Sequence, residues 1–199
     1  MKKIAIALMC MIVATGAAMA QKTFTFGPKV GVDYTHMWGE DVEHGGQINY
    51  QAGVFMEYRF NDKFSIAPEV VFAAQGGKFD WIDSEAIKVT TTENLNYVNI
   101  PVMLKFYVVP KFSIDFGPQL GINVYHKATD KWTYDGDDHK ETYELEGAKT
   151  VDFGVGLGLT YNIAKDVFVQ GRYTMSMTKA FDYGNDKNGN AQIAIGYRF

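Results

Sequence analysis

The sequence predicts an all-β fold, an eight-stranded antiparallel up-and-down β-barrel that crosses a membrane. Along eight segments, apolar residues alternate with polar or small residues, which is the period-two pattern of a strand with two different faces. The connections between these segments alternate between short and long. After residue 20, no apolar run approaches the roughly 20 residues that a spanning helix needs, so strands must make any crossing.

The first 20 residues have the three parts of a secretory signal peptide. The basic pair Lys2-Lys3 precedes an apolar stretch at residues 4–13, and Ala18-Met19-Ala20 gives the small-x-small cleavage pattern. A transmembrane anchor is the alternative, but the apolar stretch is short for one. We therefore predict cleavage between Ala20 and Gln21, a signal peptide at residues 1–20 and a barrel domain at residues 21–199.

The charge and cysteine content of the mature chain exclude several classes of protein. The single cysteine, Cys10, lies in the signal peptide, so the mature chain is predicted to have no disulfide, metal thiolate or lipid anchor. Cleavage removes two lysines and takes the formal charge from -4 to -6. This acidic balance argues against nucleic acid as a partner.

The alternation places the eight strands and assigns each residue to one of two faces. The sixth segment is the cleanest, because every second residue from Val151 to Ile163 is apolar and the residues between them are polar or glycine. The eight segments cover residues 24–38, 53–60, 64–75, 96–108, 112–124, 151–163, 167–178 and 191–199.

The lengths of the connections distinguish the two ends of the barrel. Three are tight turns, Asn61-Asp62-Lys63, Val109-Pro110-Lys111 and Ala164-Lys165-Asp166, and each pairs apolar residues across it: Phe60 with Phe64, Val108 with Phe112, and Ile163 with Val167. Four are long and polar, near residues 39–46, 78–93, 127–148 and 181–190. Outer-membrane barrels have short periplasmic turns and longer extracellular loops. We therefore expect an outer-membrane barrel with both termini in the periplasm and the long loops outside the cell.

The polar face is predicted to line the lumen, whereas in a soluble barrel it would meet water. It carries equal numbers of acids and bases among small and neutral polar residues, which suits a narrow interior where charges neutralise one another. Register places Lys105 opposite Asp115 with Glu69 one strand further along, which predicts a cluster of these three, and it places Gly158 opposite Arg172. The predicted charge network, with a structural role, comprises Lys29, Asp33, Glu57, Arg59, Glu69, Lys105, Asp115, Asp152, Arg172 and Arg198.

Aromatic residues collect near the predicted periplasmic ends of the apolar faces, where a girdle at the lipid–water boundary is expected. The chain ends with Gly196-Tyr197-Arg198-Phe199, and a terminal Phe that closes an alternating strand resembles the signal read by the barrel-insertion machinery. We therefore predict Tyr197 and Phe199 as the assembly signal. The girdle is predicted to contain Tyr58, Phe60, Phe64, Phe106, Phe112, Tyr161, Tyr197 and Phe199.

Four prolines conflict with uninterrupted strands, because each removes a donor from the hydrogen-bonded ladder. They are Pro28, Pro68, Pro101 and Pro118. Bulges are the usual remedy. Alternatively, the strands begin after these prolines.

One segment and the barrel-closing end resemble a known family. Residues 96–107, Asn-Tyr-Val-Asn-Ile-Pro-Val-Met-Leu-Lys-Phe-Tyr, together with Gly117-Pro118, are similar to the PorT-like, porin-family outer-membrane barrels of Bacteroidota. The resemblance covers essentially all of the mature chain, and its motifs are structural. It implies an outer-membrane barrel, and some members resemble a component of a protein secretion system.

No catalytic constellation is visible in the strands. His36 and His126 are predicted to point outward, whereas Ser65, Ser113 and Ser176 point inward, so no Ser-His pair can form there. The acidic segment 127–148 does not match an EF-hand loop. We predict no catalytic residue, no cofactor and no metal.

The sequence therefore favours a non-enzymatic outer-membrane barrel with a filled, charge-paired lumen and a structural or surface-interaction role. The alternatives are a narrow channel for small solutes and an accessory component of a secretion complex. The expected partners are outer-membrane lipid and lipopolysaccharide, the barrel-insertion machinery, and a protein bound through loops 78–93 and 127–148. The protein is expected to be monomeric.

Overall fold

A computed structural model describes residues 24–38, 45–82, 88–134, 137–144, 147–180 and 187–199. The predicted signal peptide and its cleavage site, Ala20-Gln21, lie outside the described residues and stay predictions. No helix within these ranges is long and apolar enough to cross a membrane. The strands are β1 Phe24–Trp38, β2 Gln47–Arg59, β3 Phe64–Gln75, β4 Lys78–Ile82, β5 Lys88–Val109, β6 Phe112–Tyr134, β7 Asp137–Glu144, β8 Val151–Asn162, β9 Val167–Ser176 and β10 Lys187–Tyr197.

Eight of these strands close into an antiparallel ring. Their order around the ring is β1, β2, β3, β5, β6, β8, β9 and β10, and β10 pairs again with β1 from Lys29↔Gly196 to Trp38↔Lys187. The strands follow chain order, so each neighbour in the sequence is also a neighbour in the barrel. The predicted fold class, an all-β, eight-stranded, up-and-down barrel, is confirmed.

Burial alternates along the ring strands as the sequence pattern predicts. In β8, Val151, Phe153 and Leu157 are exposed on the outside, whereas Asp152 and the glycines between them are buried. The outer face is apolar and the inner face is polar, so the side chains are distributed opposite to those of a soluble barrel.

The predicted girdle lies on the outer face at the end of the barrel with the tight turns. Aromatic rings meet there in neighbouring pairs: Phe64 and Phe106 at 5.2 Å, Tyr197 and Phe199 at 5.1 Å, and Phe26 and Phe199 at 5.6 Å between centroids. The Phe199 amide also donates to the carbonyl of Phe26, at 2.8 Å. The last residue of the chain is therefore fixed to the first strand.

The three tight turns join β2 to β3, β5 to β6, and β8 to β9. The middle turn differs from the prediction, because Val109, and not Val108, lies opposite Phe112. A register shift between Tyr107 and Val109 absorbs the difference. Lys105 consequently still lies opposite Asp115, as the predicted register requires.

The prolines lie within the strands, and they are accommodated by gaps in pairing rather than by bulges. The β2–β3 ladder lacks pairs at residues 56–57 and 67–68, the β3–β5 ladder at 69–70 and 100–101, and the β5–β6 ladder at 102–103 and 117–118. Each gap contains one proline, and the register is the same on both sides. Pro28 lies just beyond the end of the β1–β10 ladder.

The long connections 78–93 and 127–148 were predicted as loops, and this prediction is largely wrong. Most of the first connection belongs to β4 and the start of β5, and most of the second to the end of β6 and β7. β5 and β6 stay paired beyond the ring as far as Val89↔Trp132, with β4 and β7 on their outer sides. We call the four-stranded sheet formed by residues 78–82, 88–94, 127–134 and 137–144 the projecting sheet.

Candidate functional site

The centre of the lumen is built around Glu69, which β3 holds on the inner face. Arg172 of β9 donates to both carboxylate oxygens, Nη2 to Oε1 at 2.6 Å and Nη1 to Oε2 at 3.1 Å. Lys29 of β1 also donates to Oε2. All three side chains are at most 5% exposed, so two cations share one buried carboxylate.

A second carboxylate, Asp115 of β6, connects to this centre through neutral side chains. Lys105 lies 3.5 Å from Asp115 Oδ2, and Gln170 Nε2 donates to the same oxygen at 3.1 Å. Gln170 Oε1 in turn accepts from Lys29 at 3.2 Å. The network therefore runs without a break from β3 through β1, β9 and β6 to β5.

The predicted three-residue cluster forms only in part. Lys105 pairs with Asp115, but the cations that contact Glu69 are Lys29 and Arg172. Lys29 and Arg172 reach across the lumen, and adjacent-strand register cannot show such contacts. Gly158 lies opposite Arg172, and a Cβ added there would come within 3.3 Å of the arginine Cβ.

Glu57 organises the end of the lumen beside the tight turns. Its carboxylate accepts from Ser65 at 2.8 Å and from the Tyr107 hydroxyl, and it lies 3.6 Å from Arg198 and 3.9 Å from Arg59. Both guanidinium groups lie over aromatic rings. Arg59 is 3.9 Å from the centroid of Tyr107, and Arg198 is 4.5 Å from that of Phe168.

The opposite half of the lumen contains two buried acids, Asp152 and Asp33, that form no ion pair among the described residues. Asp152 accepts from Ser176 and from Thr178, both at 2.6 Å. Asp33 is 1% exposed, and neither of its carboxylate oxygens has a hydrogen-bond donor. Gln192 lies opposite Asp33 in the ladder, but its side-chain oxygen accepts a hydrogen bond from Gln51.

An apolar cluster closes the lumen below the projecting sheet. Leu95 and Ala128 are completely buried and pack with Met37, Tyr97 and Ala180. The Tyr97 hydroxyl accepts a hydrogen bond from Asn188 at 3.3 Å. The alternation pattern does not predict this cluster, because Leu95 and Ala128 fall at the edges of segments predicted as loops.

Nine of the ten charged residues predicted for the lumen are buried, and the tenth, Arg59, is 34% exposed at the end of the lumen beside the tight turns. Sequence reasoning missed the neutral residues that link them, above all Tyr107, Thr160 and Gln170. These three residues fall at inward positions in the alternation of their strands, so the alternation could have identified them. A list restricted to charged residues omits them.

The histidines and inward serines form no nucleophile–base pair within the described ranges. Each predicted inward serine donates to a carboxylate: Ser65 to Glu57, Ser113 to Asp115 and Ser176 to Asp152. His36 lies instead on the outer face beside Tyr173, and His139 stacks on Trp132. In the described part of the chain, no three His, Cys, Asp or Glu side chains come together as a metal site would require.

The projecting sheet is held together by polar pairs across its strands. Lys88 lies 2.7 Å from Asp80, Thr129 and Thr142 are 3.1 Å apart, and the rings of Trp132 and His139 stack at 5.5 Å. The Tyr143 hydroxyl donates to Asp130 at 3.3 Å, and partial burial together with the negative charge of Asp130 raises the pKa of this phenol. All eight residues of β7 are exposed.

The comparison with known families decides where this fold belongs. The family described as "Outer membrane protein beta-barrel domain" matches residues 19–182. The chain belongs to this family. It is therefore an outer membrane β-barrel protein.

Solved structures of two outer membrane barrels have a similar fold. Ail, the attachment invasion locus protein of Yersinia pestis, is 13% identical with a TM-score of 0.51, and the match covers 90% of this chain and 100% of that one. Neisserial surface protein A is 16% identical with a TM-score of 0.53, and the match covers 87% of this chain and 97% of that one. No curated protein matches the chain. At these identities the likeness is one of fold.

Proposed function

We propose that this outer membrane barrel is a non-enzymatic surface-interaction protein, in which a filled lumen supports a projecting sheet that binds a partner outside the cell. The observation that carries the proposal is β7, Asp137–Glu144, an eight-residue strand exposed at every position. In the described part of the chain, β7 pairs with β6 alone, so one edge of β7 has unpaired backbone groups. An open edge of this kind can accept a further strand.

The two outer edges of the projecting sheet differ. The β4 edge is bridged at Lys78 by Gly45, whose carbonyl accepts from the Lys78 amide at 3.0 Å. The β7 edge carries four acidic residues against one lysine, Lys140. Charged edge residues also limit edge-to-edge aggregation. A partner that presents an extended, basic strand therefore suits the β7 edge best.

The proposed orientation places the tight turns and both termini in the periplasm and the projecting sheet outside. It is supported by the connection lengths, since short turns face the periplasm in outer membrane barrels. Lipid of the membrane and lipopolysaccharide then surround the apolar outer face. The barrel-insertion machinery would read Tyr197 and Phe199 at the end of β10, and the barrel would work as a monomer.

The orientation can be tested with an epitope inserted between Tyr134 and Asp137, at the tip of the projecting sheet. Antibody should label intact cells that carry this insertion. The matched control has the same epitope at Asp62, in the turn between β2 and β3, and it should be labelled only after the outer membrane is permeabilised. The reverse pattern would refute the orientation.

The surface role can be tested by removing the outer part of the β6–β7 hairpin. Residues 131–140 are replaced by Asn-Gly, a two-residue turn that keeps Asp130 opposite Glu141. Proteins cross-linked on intact cells are compared with those of the full-length barrel and of Lys63→Gln, a change at the opposite rim. We expect at least one partner protein to be cross-linked to the full-length barrel and to Lys63→Gln but not to the truncated variant. An identical set from all three would contradict the proposal.

Two other functions remain candidates, each with its own observation. The resemblance of residues 96–107 to PorT-like barrels of Bacteroidota favours an accessory role in a secretion complex, which co-purification from native outer membranes with secretion components would support. A narrow channel is favoured by the polar lumen alone. The shared charges of Glu69, Lys29 and Arg172 fill that lumen and weigh against the channel.

A further inference from the structure

A cavity of about 180 Å³ lies at the end of the lumen beside the tight turns. Its walls come from five parts of the chain: the start of β1, the end of β2, the turn that follows β5, the end of β8 with the turn that follows it, and Arg198 after β10. Three cations line it, Arg59, Arg198 and Lys165, together with a single carboxylate, that of Glu57. The cavity thus has an excess of two positive charges.

Glu57 does not supply acceptors for all the hydrogen-bond donors of the cations that line the cavity. The Glu57 oxygens already accept hydrogen bonds from Ser65 and Tyr107. Arg198 Nη1 donates to Asn162 at 2.8 Å, but Nη2 lies 3.6 Å from Glu57 and is buried with no hydrogen-bond partner among the described residues. The Arg198 side chain is only 9% exposed, so it holds an unused donor inside the cavity wall.

The arginines are also fixed in position before anything binds. The Arg198 guanidinium lies over the Phe168 ring, and Phe168 is itself held edge-on by Phe55 at 5.0 Å between centroids. Arg59 lies over Tyr107. Stacked guanidinium groups keep their in-plane donors available, so a ligand would lose little side-chain entropy on binding.

We propose that this cavity binds a phosphate group. Phosphate carries between one and two negative charges at neutral pH and has several acceptor oxygens, which suits the excess of positive charge and the fixed guanidinium donors. A carboxylate offers only two acceptor oxygens to these donors. The phosphate could be free in solution or part of a phospholipid headgroup at the same rim. The binding does not depend on the projecting sheet, so it can fail without affecting the proposed surface role.

The experiment titrates inorganic phosphate into the full mature barrel in maltoside micelles, which contain no phosphate, at constant ionic strength. The readout is the side-chain N–H signals of Arg59 and Arg198 in ¹⁵N–¹H NMR spectra, with Arg172 as an internal reference in the lumen. We expect saturable shifts of Arg59 and Arg198 and none of Arg172. Arg59→Gln should weaken binding about tenfold, since hydrogen bonds to charged groups are the strong ones.

Lys165→Gln keeps the test valid if an arginine variant fails to fold, because Lys165 is exposed at the rim. It should weaken binding about threefold, since one charge near the anion is lost. Lys111→Gln is the matched control, an exposed lysine in another tight turn that does not line the cavity, and it should bind as the unmodified barrel does.

Repeating the titration in phospholipid bilayer discs distinguishes the two sources of phosphate. If the headgroup is the ligand, the Arg198 signals in the discs already lie at their saturated position and do not respond to added phosphate. An unchanged titration would identify free phosphate. The proposal is overturned if no saturable shift occurs in micelles, or if Lys165→Gln and Arg59→Gln bind as tightly as the Lys111→Gln control.

Discussion

At the scale of single residues, the buried charge of the lumen depends most on Glu69. Its carboxylate is the shared acceptor of Arg172 and Lys29, and all three groups are nearly inaccessible to water. Removing one partner of a buried ion pair leaves an uncompensated charge, which costs far more than the pair itself contributes. Glu69 is consequently the position where a conservative substitution should be most damaging.

Glu69→Gln should lower the free energy of unfolding of the barrel by about 3–5 kcal/mol, because two buried cations lose their counter-ion. Urea unfolding in lipid vesicles measures this as a lower midpoint. Asp80→Asn is the control, since it breaks the exposed pair with Lys88 at 2.7 Å and should leave the midpoint unchanged. A midpoint for Glu69→Gln equal to that of the control would contradict the prediction.

The lumen also limits the size of inward residues. A Cβ added at Gly196 would lie 2.3 Å from the Phe168 ring, the ring that supports Arg198. Gly196→Ala should therefore destabilise the barrel by about 1–3 kcal/mol through overpacking. Gly171→Ala is the matched control in the neighbouring strand, because no atom lies within 4 Å of the added Cβ. The same unfolding assay compares them, and equal midpoints would show that the ring moves away without cost.

At the scale of elements, the strands that form the ring also form the projecting sheet. β5 and β6 have 22 and 23 residues, and their outer parts continue the pairing beyond the ring. β7 contributes cross-strand pairs to β6 but does not take part in closing the ring. The stability of the ring and the presence of the β6–β7 tip should thus be separable.

Replacing residues 131–140 by Asn-Gly should leave the urea midpoint of the barrel unchanged, because the ring pairs begin below this segment. The variant should also keep the gel mobility of a folded barrel in unheated samples. A clear drop in midpoint would mean that the projecting sheet supports the ring.

The elements that the sequence predicted are those with one apolar face. Residues 151–163 were predictable because apolar and small polar residues alternate strictly there. For residues 127–134 and 137–144 the sequence pattern predicts a loop, because strands that meet water and pair through side chains such as Thr129 and Thr142 have no apolar period. Cross-strand partners stabilise such strands, and a single-sequence pattern does not reveal them.

At the scale of the whole molecule, the barrel is closed along its length by two kinds of packing. The Glu69 network fills the middle of the lumen, and Leu95, Tyr97 and Met37 seal it below the projecting sheet. An eight-stranded barrel is only wide enough for its own side chains. We therefore expect no continuous aqueous path in the direction of the barrel axis.

The mature protein in planar lipid bilayers should accordingly show no steady single-channel conductance. Membranes treated with the refolding detergent alone provide the baseline. Regular current steps that scale with salt concentration would contradict a filled lumen and favour the channel function.

The sequence by itself determined the eight strands of the ring, their two faces, their up-and-down order and the register across the turns after β2 and β8, because all of these follow from period-two alternation and turn length. Only the tertiary structure decided which charges meet across the lumen. Glu69 pairs with Lys29 and Arg172 because closing the ring brings residues of non-adjacent strands together over a distance that long side chains can span. The pair of Lys105 and Asp115, by contrast, joins neighbouring strands and follows from their register. Strand pattern is local information, whereas the contents of a closed barrel depend on all eight strands at once.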